Sequence, residues 1–134
     1  MLRFRDWSLG ELEVAVCNSL WDAGETDVRG MHERIGVPRG IASNTIQSAL
    51  ERLYRKGMLH RRKVSHAFYY APAMTRAAFA AGVLDGVASA LGGAGAQPLL
   101  AAFVEHAENI DPAALDQLEA LVRSARARSE KQEQ

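Results

Sequence analysis

Amide, hydroxyl and guanidinium side chains are concentrated between residues 44 and 63 of this 134-residue chain. An amide can bond adenine at two positions, a threonine methyl can contact thymine, and a recognition helix makes such contacts from its first turns. A predicted helix carries these side-chain types in its first turns, at Asn44, Thr45, Gln47 and Ser48. They are predicted to contact bases or groups beside them, although a plain solvated helix face would have a similar composition.

The basic residues that follow favour the first of these interpretations. Residues 52–63 contain six basic side chains and no acidic one. When a helix lies in a major groove, its end and the strand after it both face the phosphate backbone, which attracts basic side chains. The predicted phosphate contacts are Arg52, Arg55, Arg61, Arg62 and Lys63.

Three helices are predicted to position this surface. Ser8, with a glutamate three residues later, has the pattern of a capping box at the start of the first helix. Thr26 is predicted to cap a second, short helix that Gly36 and Pro38 end. The third helix, which carries the polar and basic residues, is predicted over residues 43–56.

A hairpin is predicted to follow the third helix. After Gly57 the apolar period changes from 3.6 to about 2, which indicates strands over residues 58–64 and 67–71. Helices followed by a hairpin in this order are typical of a winged helix-turn-helix. The fold class is therefore predicted to be mainly α, with this domain over residues 1–73.

The rest of the chain is predicted to be helical. Apolar periodicity indicates helices over residues 75–91 and 98–108, and a last helix with Asp111 as N-cap and Pro112 at its first position. Residues 74–127 are predicted to form a dimerisation domain, with a charged tail over residues 128–134. The charged residues from 123 onward are expected to fray.

Formal charge differs between the two halves. The whole chain balances, with 16 basic and 16 acidic residues, but residues 1–74 hold 11 basic and 8 acidic residues, a net charge of +3. Residues 75–134 hold 5 basic and 8 acidic residues, a net charge of −3. The first half is therefore the expected partner of nucleic acid, and the second half is expected to have another task.

Several classes of protein are excluded by the residues that are missing. Cys17 is the single cysteine, so neither an intrachain disulfide nor a thiolate metal cluster can form, which fits a cytoplasmic protein. The four histidines lack metal-ligand spacing, and no phosphate loop or nucleophile elbow occurs, so neither an enzyme nor a cofactor is predicted. The uncharged residues 86–104 contain a glycine-rich break, so no membrane insertion is predicted.

A stripe of small residues recurs every four positions on the helix predicted over residues 75–91. Its members are Ala78, Gly82, Gly86 and Ala90. Glycine destabilises a helix interior by about 1 kcal/mol relative to alanine, so its presence indicates that another backbone approaches closely. That backbone is either another helix of the same chain or a second copy. The predicted dimer interface adds Phe103, Leu118 and Val122.

Four segments of the sequence resemble a known family. They are residues 9–16 (LGELEVAV), 20–21 (LW), 44–59 (NTIQSALERLYRKGML) and 68–72 (FYYAP). Together these segments resemble the penicillinase-repressor (BlaI/MecI/CopY) family. The resemblance is carried by residues 7–73, while the C-terminal helices match in order and length.

This resemblance implies a dimeric winged-helix repressor that binds a palindromic operator, in an operon of the β-lactam-resistance type. It implies dimerisation through the C-terminal helices and inactivation by a membrane-bound sensor protease that triggers cleavage at an Asn-Phe bond. The aligned bond here is Ala102-Phe103, where the asparagine is absent. The cysteine cluster of the copper-responsive branch is also absent, so no metal site of that type is expected.

Two other functions remain open from the residues alone. A winged helix can serve as a protein-interaction module without DNA, which the basic run in residues 52–63 disfavours. A regulator without proteolytic switching could instead sense a ligand among the C-terminal helices. Those helices are rich in alanine and offer few convergent polar groups for a polar ligand.

Overall fold

This computed structural model describes residues 10–91 and 96–133, and its first helix, α1, spans Glu11–Ala23. Gly10 occupies the N-cap position, and no described side chain caps the helix. The predicted cap, Ser8, lies outside the described residues.

The second helical segment begins at Asp27 rather than at Thr26, so the predicted cap is wrong. Helix α2 spans Val28–Met31, and the Asp27 carboxylate accepts a hydrogen bond of 2.8 Å from the backbone of Gly30. Thr26 instead forms a β-bridge with Tyr70, with N–H···O distances of 3.2 and 2.8 Å. Its backbone therefore belongs to the edge of the hairpin.

A π-helix over His32–Gly36 continues this segment into α3, Val37–Arg39. The prediction that Gly36 and Pro38 end the helix is wrong. Pro38 lies in the first turn of α3, directly after the π-helix, and the helical segment continues through it. Gly40, with φ +67°, ends the segment instead.

Helix α4 spans Ser43–Arg55 and buries an apolar stripe, whose members are Ile46, Ala49, Leu50 and Leu53. Gly57, with φ +80°, turns the chain after it. Strands β1, Leu59–Val64, and β2, Ala67–Pro72, then pair antiparallel from Leu59 opposite Pro72 to Val64 opposite Ala67. The predicted winged helix-turn-helix is confirmed.

One apolar core joins α1, the second helical segment, α4 and the hairpin. Its buried members are Val16, Cys17, Leu20, Met31, Ile35, Ile46, Ala49, Leu50, Leu53, Met58, Leu59 and Tyr70. Burial raises the pKa of the Cys17 thiol to about 11, with Glu13 adding to the effect. Cys17 therefore behaves as a small buried apolar residue.

Helix α5 spans Arg76–Ala90, and its first turn is tied to α1. The indole N–H of Trp21 donates to the carbonyl of Met74 at 2.9 Å, and the Trp21 ring lies 5.6 Å from that of Phe79. The Arg76 guanidinium is 2.9 Å from the Asp22 carboxylate and 5.2 Å from the Trp21 ring centroid. These contacts fix where α5 begins.

The chain divides between Val87 and Ala88 into two compact units. The second unit contains α6, Ala96–Ile110, and α7, Ala114–Glu133, which pack on each other. Asp111 accepts a hydrogen bond from the backbone of Ala113, but the helix begins at Ala114 rather than at the proline. Residues 123–133 are helical, as the last part of α7, and their alanine, arginine, lysine and glutamate residues favour a helix; that this end frays stays a prediction.

Candidate nucleic-acid interface

The predicted base-contacting residues all lie in the first turns of α4. Asn44, Thr45, Gln47 and Ser48 are exposed, whereas Ile46, between them, is fully buried. Opposite faces of one helix therefore bind the core and face solvent. The first turn contains no acidic residue, so the partial positive charge of this helix end is left uncompensated there.

Two neighbouring depressions bring part of the predicted set together. Asn44, Gln47, Ser48, Arg52 and Arg55 line the first, together with Glu51. The second has a volume of about 400 Å³ and lies between α4, the hairpin and the start of α2, where Gln47, Arg61 and His66 are among its lining residues. Thr45, Arg62 and Lys63 are not among the lining residues of either depression.

Glu13 on α1 pairs with Arg52 of α4 and with Lys56, the C-cap residue of that helix. Its carboxylate is 3.4 Å from the Arg52 guanidinium and 3.3 Å from the Lys56 ammonium. Only 12% of the Glu13 side chain is exposed, against 52% of that of Arg52. The pair therefore anchors the C-terminal half of α4 to α1, while the Arg52 side chain remains accessible from outside.

Glu51 is the acidic centre of the α4 face. It lies 3.4 Å from Arg55, one helical turn away, and 2.8 Å from Arg61 on β1. The Arg61 guanidinium also lies 3.9 Å from the ring centroid of Tyr54 and 4.1 Å from that of Phe68. Arg61 is thus surrounded by side chains of the helix and the hairpin.

The other two basic residues of β1 differ in their partners. Arg62 donates to both oxygens of Glu25, at 2.6 Å for the shortest distance, and these hydrogen bonds hold the pKa of Glu25 below its usual value. Lys63 is exposed. Among the described residues, its ammonium group has one side-chain neighbour, the Phe68 ring, whose centroid lies 6.0 Å away. Lys63 is therefore the basic side chain of the strand most open to an external anion.

Sequence reasoning missed the acidic partners of this surface. The pairing of Glu51 with Arg55 has the spacing of a helical ion pair and could have been found. The pairings of Glu13 with Arg52 and of Glu25 with Arg62 join residues that are far apart in the chain. No local pattern contains that information.

The residues of the predicted dimer interface lie on α5, α6 and α7. On α5, Gly82 and Gly86 are half-buried, whereas Ala78 and Ala90 are exposed. Leu118 on α7 is half-buried, and Phe103 and Val122 are exposed. The Ala102-Phe103 bond lies inside α6.

A helix-turn-helix followed by a hairpin, with a polar outer face on the last helix, defines a winged helix-turn-helix protein. A family model described as "Penicillinase repressor" matches residues 9–124, so the chain belongs to the penicillinase repressor family, as its resemblance predicted. Two curated relatives from strains of Mycobacterium tuberculosis, both named "Transcriptional regulator BlaI", are 36% identical over 99 residues. The alignment covers 72% of this chain and 72% of each relative.

The chain is also similar to a solved structure, the solution structure of the DNA-binding domain of the repressor BlaI. The TM-score is 0.48 at 23% identity, over 52% of this chain and 84% of that one. Within residues 10–91 and 96–133, no helix is long and apolar enough to cross a bilayer. The same ranges contain no group of three acidic, histidine or cysteine side chains arranged to hold a metal ion.

Proposed function

We propose that this protein is a transcriptional repressor whose helix α4 enters the major groove of an operator. One observation carries the proposal: the outer face of α4 presents only polar and charged side chains in its first turns, while its inner stripe is fully buried. Asn44, Thr45, Gln47 and Ser48 are the proposed base contacts. The curated relatives carry the name of a transcriptional regulator, which supports this assignment.

The basic residues around α4 are the proposed phosphate contacts. Arg52 and Arg55 extend from the last turns of α4, and Arg62 and Lys63 from β1. Each of the three arginines is paired with a carboxylate in the DNA-free protein. Phosphate must therefore compete with Glu13, Glu51 and Glu25, whereas Lys63 is open to it.

We propose further that the protein acts as a homodimer. None of residues 97–133 is buried within a single chain. Large apolar side chains of this unit are exposed, including Leu100 at 65%, Ile110 at 63% and Leu121 at 67%. An apolar surface of this kind marks an interaction site, and a second copy gives a closed, two-fold arrangement that matches a palindromic operator.

The proposed dimer interface combines the stripe on α5 with apolar residues of α6 and α7. Its members are Ala78, Gly82, Gly86, Ala90, Phe103, Leu118 and Val122. The net charge of −3 over residues 75–134 disfavours contact of this half with phosphates. The two halves would therefore divide the work of binding DNA and holding the dimer together.

Selection from a random duplex library tests DNA binding. The wild-type protein should enrich a palindromic sequence whose half-sites are one or two helical turns apart, and should bind it with strong salt dependence. A random duplex of equal length is the control. Equal affinity for both duplexes, or binding that does not depend on salt, contradicts the repressor proposal.

Sedimentation analysis at micromolar concentration tests the dimer. The wild type should sediment as a dimer, and Gly86→Leu should sediment as a monomer because a bulky side chain blocks close backbone approach. Ala80→Leu, an exposed position on α5 outside the stripe, is the matched control and should remain dimeric. A monomeric wild type, or a dimeric Gly86→Leu, contradicts the proposed interface.

We propose a β-lactam-resistance-type operon as the target, in the cytoplasm, with derepression that does not cut Ala102-Phe103. Both residues lie inside α6, so a protease reaches the bond only after local unfolding, and the asparagine of the family's bond is missing. In cells treated with a β-lactam, mass spectrometry should find the chain at full length. A fragment ending at Ala102 would instead support the sensor-protease partner that the resemblance implies.

A further inference from the structure

Arg61 differs from every other basic residue of the proposed interface in how far it is enclosed. Its side chain is 20% exposed, against 52% for Arg52, 75% for Arg55 and 65% for Arg62. Its position in the sequence makes it a predicted phosphate contact. Its surroundings leave little of the guanidinium for a phosphate to reach.

The groups that enclose Arg61 come from two elements. Glu51, at 2.8 Å, and Tyr54, at 3.9 Å, belong to α4, whereas Phe68, at 4.1 Å, belongs to β2. Arg61 itself lies on β1, paired across the hairpin with Tyr70. One guanidinium, carried by β1, thus contacts the outer side of α4 and the neighbouring strand β2.

We infer that Arg61 is a positioning residue that holds the hairpin at a fixed angle to α4, rather than a phosphate contact. A planar guanidinium can lie against aromatic rings while its N–H groups donate to a carboxylate. A lysine ammonium carries the same charge but cannot make both contacts in this geometry. The side chain is therefore required for its shape as well as for its charge.

This inference rests on the proposed function and deepens it. If α4 lies in a major groove, the angle of the hairpin decides whether Arg62 and Lys63 reach phosphates at the same time. Loosening Arg61 would therefore lose the phosphate contacts of its neighbours. If Arg61 only contacted a phosphate, its replacement would remove that one contact and leave those of its neighbours in place.

Substitutions that keep the positive charges distinguish the two roles. Arg61→Lys retains the charge, and Phe68→Leu removes the ring that lies 4.1 Å from Arg61 and 6.0 Å from Lys63 without changing any charge. On the selected duplex, both should weaken binding about tenfold and lower the slope of log K against log salt by about 2, because the phosphate contacts of both Arg62 and Lys63 are lost. Arg123→Lys, the same substitution at an exposed position of α7 outside the proposed DNA-binding residues, is the control and should leave the affinity and the slope unchanged.

A direct contact between Arg61 and a phosphate would give different slopes. If Arg61 contacts phosphate, Arg61→Lys and Phe68→Leu should keep the wild-type slope, and Arg61→Ala alone should lower it by about 1. Wild-type slopes for both charge-conserving variants overturn the inference. If Arg61→Lys fails to show cooperative unfolding, Phe68→Leu, whose side chain is 40% exposed, decides the matter.

Hydrogen exchange without DNA separates this inference from the proposed function. In the full-length protein, Arg61→Lys and Phe68→Leu should raise the exchange rates of hairpin amides at least tenfold, while α4 amides remain protected. Lys63→Ala should leave both sets unchanged. Unchanged hairpin exchange in the first two variants contradicts the inference. A wild type that binds no duplex contradicts only the proposed function.

Discussion

The two units of this chain differ in what they bury. The winged-helix unit encloses a core of fully buried side chains drawn from α1, α4 and the hairpin. Among residues 97–133 of the second unit, every side chain is half-buried or exposed. A helix pair without buried residues lacks the main favourable contribution to folding. The difference indicates that the first unit is stable by itself and that the second requires another surface.

Charge also divides the chain, at an earlier point, between residues 74 and 75. Basic and amide side chains collect on α4 and β1, whereas residues 75–134 carry a net charge of −3 and exposed apolar residues. Each half therefore offers a surface of one chemical kind. Variants in residues 1–74 should therefore leave dimerisation unchanged. Variants in residues 75–134 should leave the stability of the winged-helix unit unchanged.

The largest expected effect is the loss of a core side chain in the winged-helix unit. Leu50 is fully buried on α4, so Leu50→Ala should lower the free energy of unfolding of this unit by about 2–5 kcal/mol. Urea unfolding followed by tryptophan fluorescence measures this, since Trp21 packs beside the core. The loss should not depend on protein concentration; a loss that does depend on it would contradict the independence of the first unit.

A charge on the exposed apolar surface of α6 should have the next largest effect. Leu100→Asp should weaken dimerisation by at least about 2 kcal/mol, because a buried unpaired carboxylate is costly at an interface. Sedimentation equilibrium measures the dissociation constant. Gln97→Glu adds the same charge at another exposed position of α6 and should change it little. Unchanged dimerisation in Leu100→Asp would remove this face from the interface.

Removing one proposed base contact should act on sequence recognition alone. Gln47→Ala should cost about 1–3 kcal/mol on the selected duplex and little on random DNA. Lys63→Ala is the matched comparison, because loss of a phosphate contact should weaken binding to both duplexes alike. Mobility shifts at several salt concentrations measure both variants. Equal losses on the two duplexes for Gln47→Ala would show that this side chain does not read bases.

Patterns of apolar residues predicted the winged-helix unit well because they repeat locally. The stripe of α4, the turn at Gly57 and the two strands follow from a change of period within a few residues. Caps were harder to predict. Thr26 and Asp27 are both residue types that favour the N-cap position. The β-bridge between Thr26 and Tyr70 leaves Asp27 as the cap, and this bridge joins residues that are far apart in the sequence.

The candidate site was only partly predictable for the same reason. Exposure of the α4 residues follows from helical periodicity, but the enclosure of Arg61 depends on Glu51, Tyr54 and Phe68, which the fold brings together. A run of basic residues shows the sum of the charges and not their partners. The π-helix at His32–Gly36 could not be predicted from a pattern based on 3.6 residues per turn.

Removing an aspartate at the start of a helix should have different consequences in the two units. Asp27 caps α2 in the first unit, and Asp111 bonds the backbone before α7 in the second. Asp27→Ala should lower the unfolding free energy of the winged-helix unit by about 1 kcal/mol at any protein concentration. Asp111→Ala should shift a helical transition that depends on concentration. Circular dichroism at two concentrations tests both, and identical behaviour would contradict the comparison.

The reactivity of a thiol should differ between the buried core of the first unit and the exposed helices of the second unit. Measuring it at Cys17 requires no destabilising substitution. Thiolate is the reactive form, and raising the pKa from 9.0 to about 11 reduces its population at pH 8 roughly 100-fold. Burial adds a steric barrier to the reagent, since Cys17 lies in the core. Labelling of the native protein with a chromogenic disulfide reagent at pH 8 should therefore be at least about 100 times slower than in urea.

A cysteine transferred to the second region provides the control for this measurement. Ser124 is exposed on α7, so the double variant Cys17→Ala and Ser124→Cys should react in native buffer at nearly the rate found in urea. Ser124→Cys should remain reactive in the dimer, since Ser124 lies beyond the last proposed interface residue, Val122. Slow native labelling at position 124 would place the C-terminal part of α7 inside the interface. Fast native labelling of Cys17 would show that the core opens frequently, because only an opened core exposes that thiol.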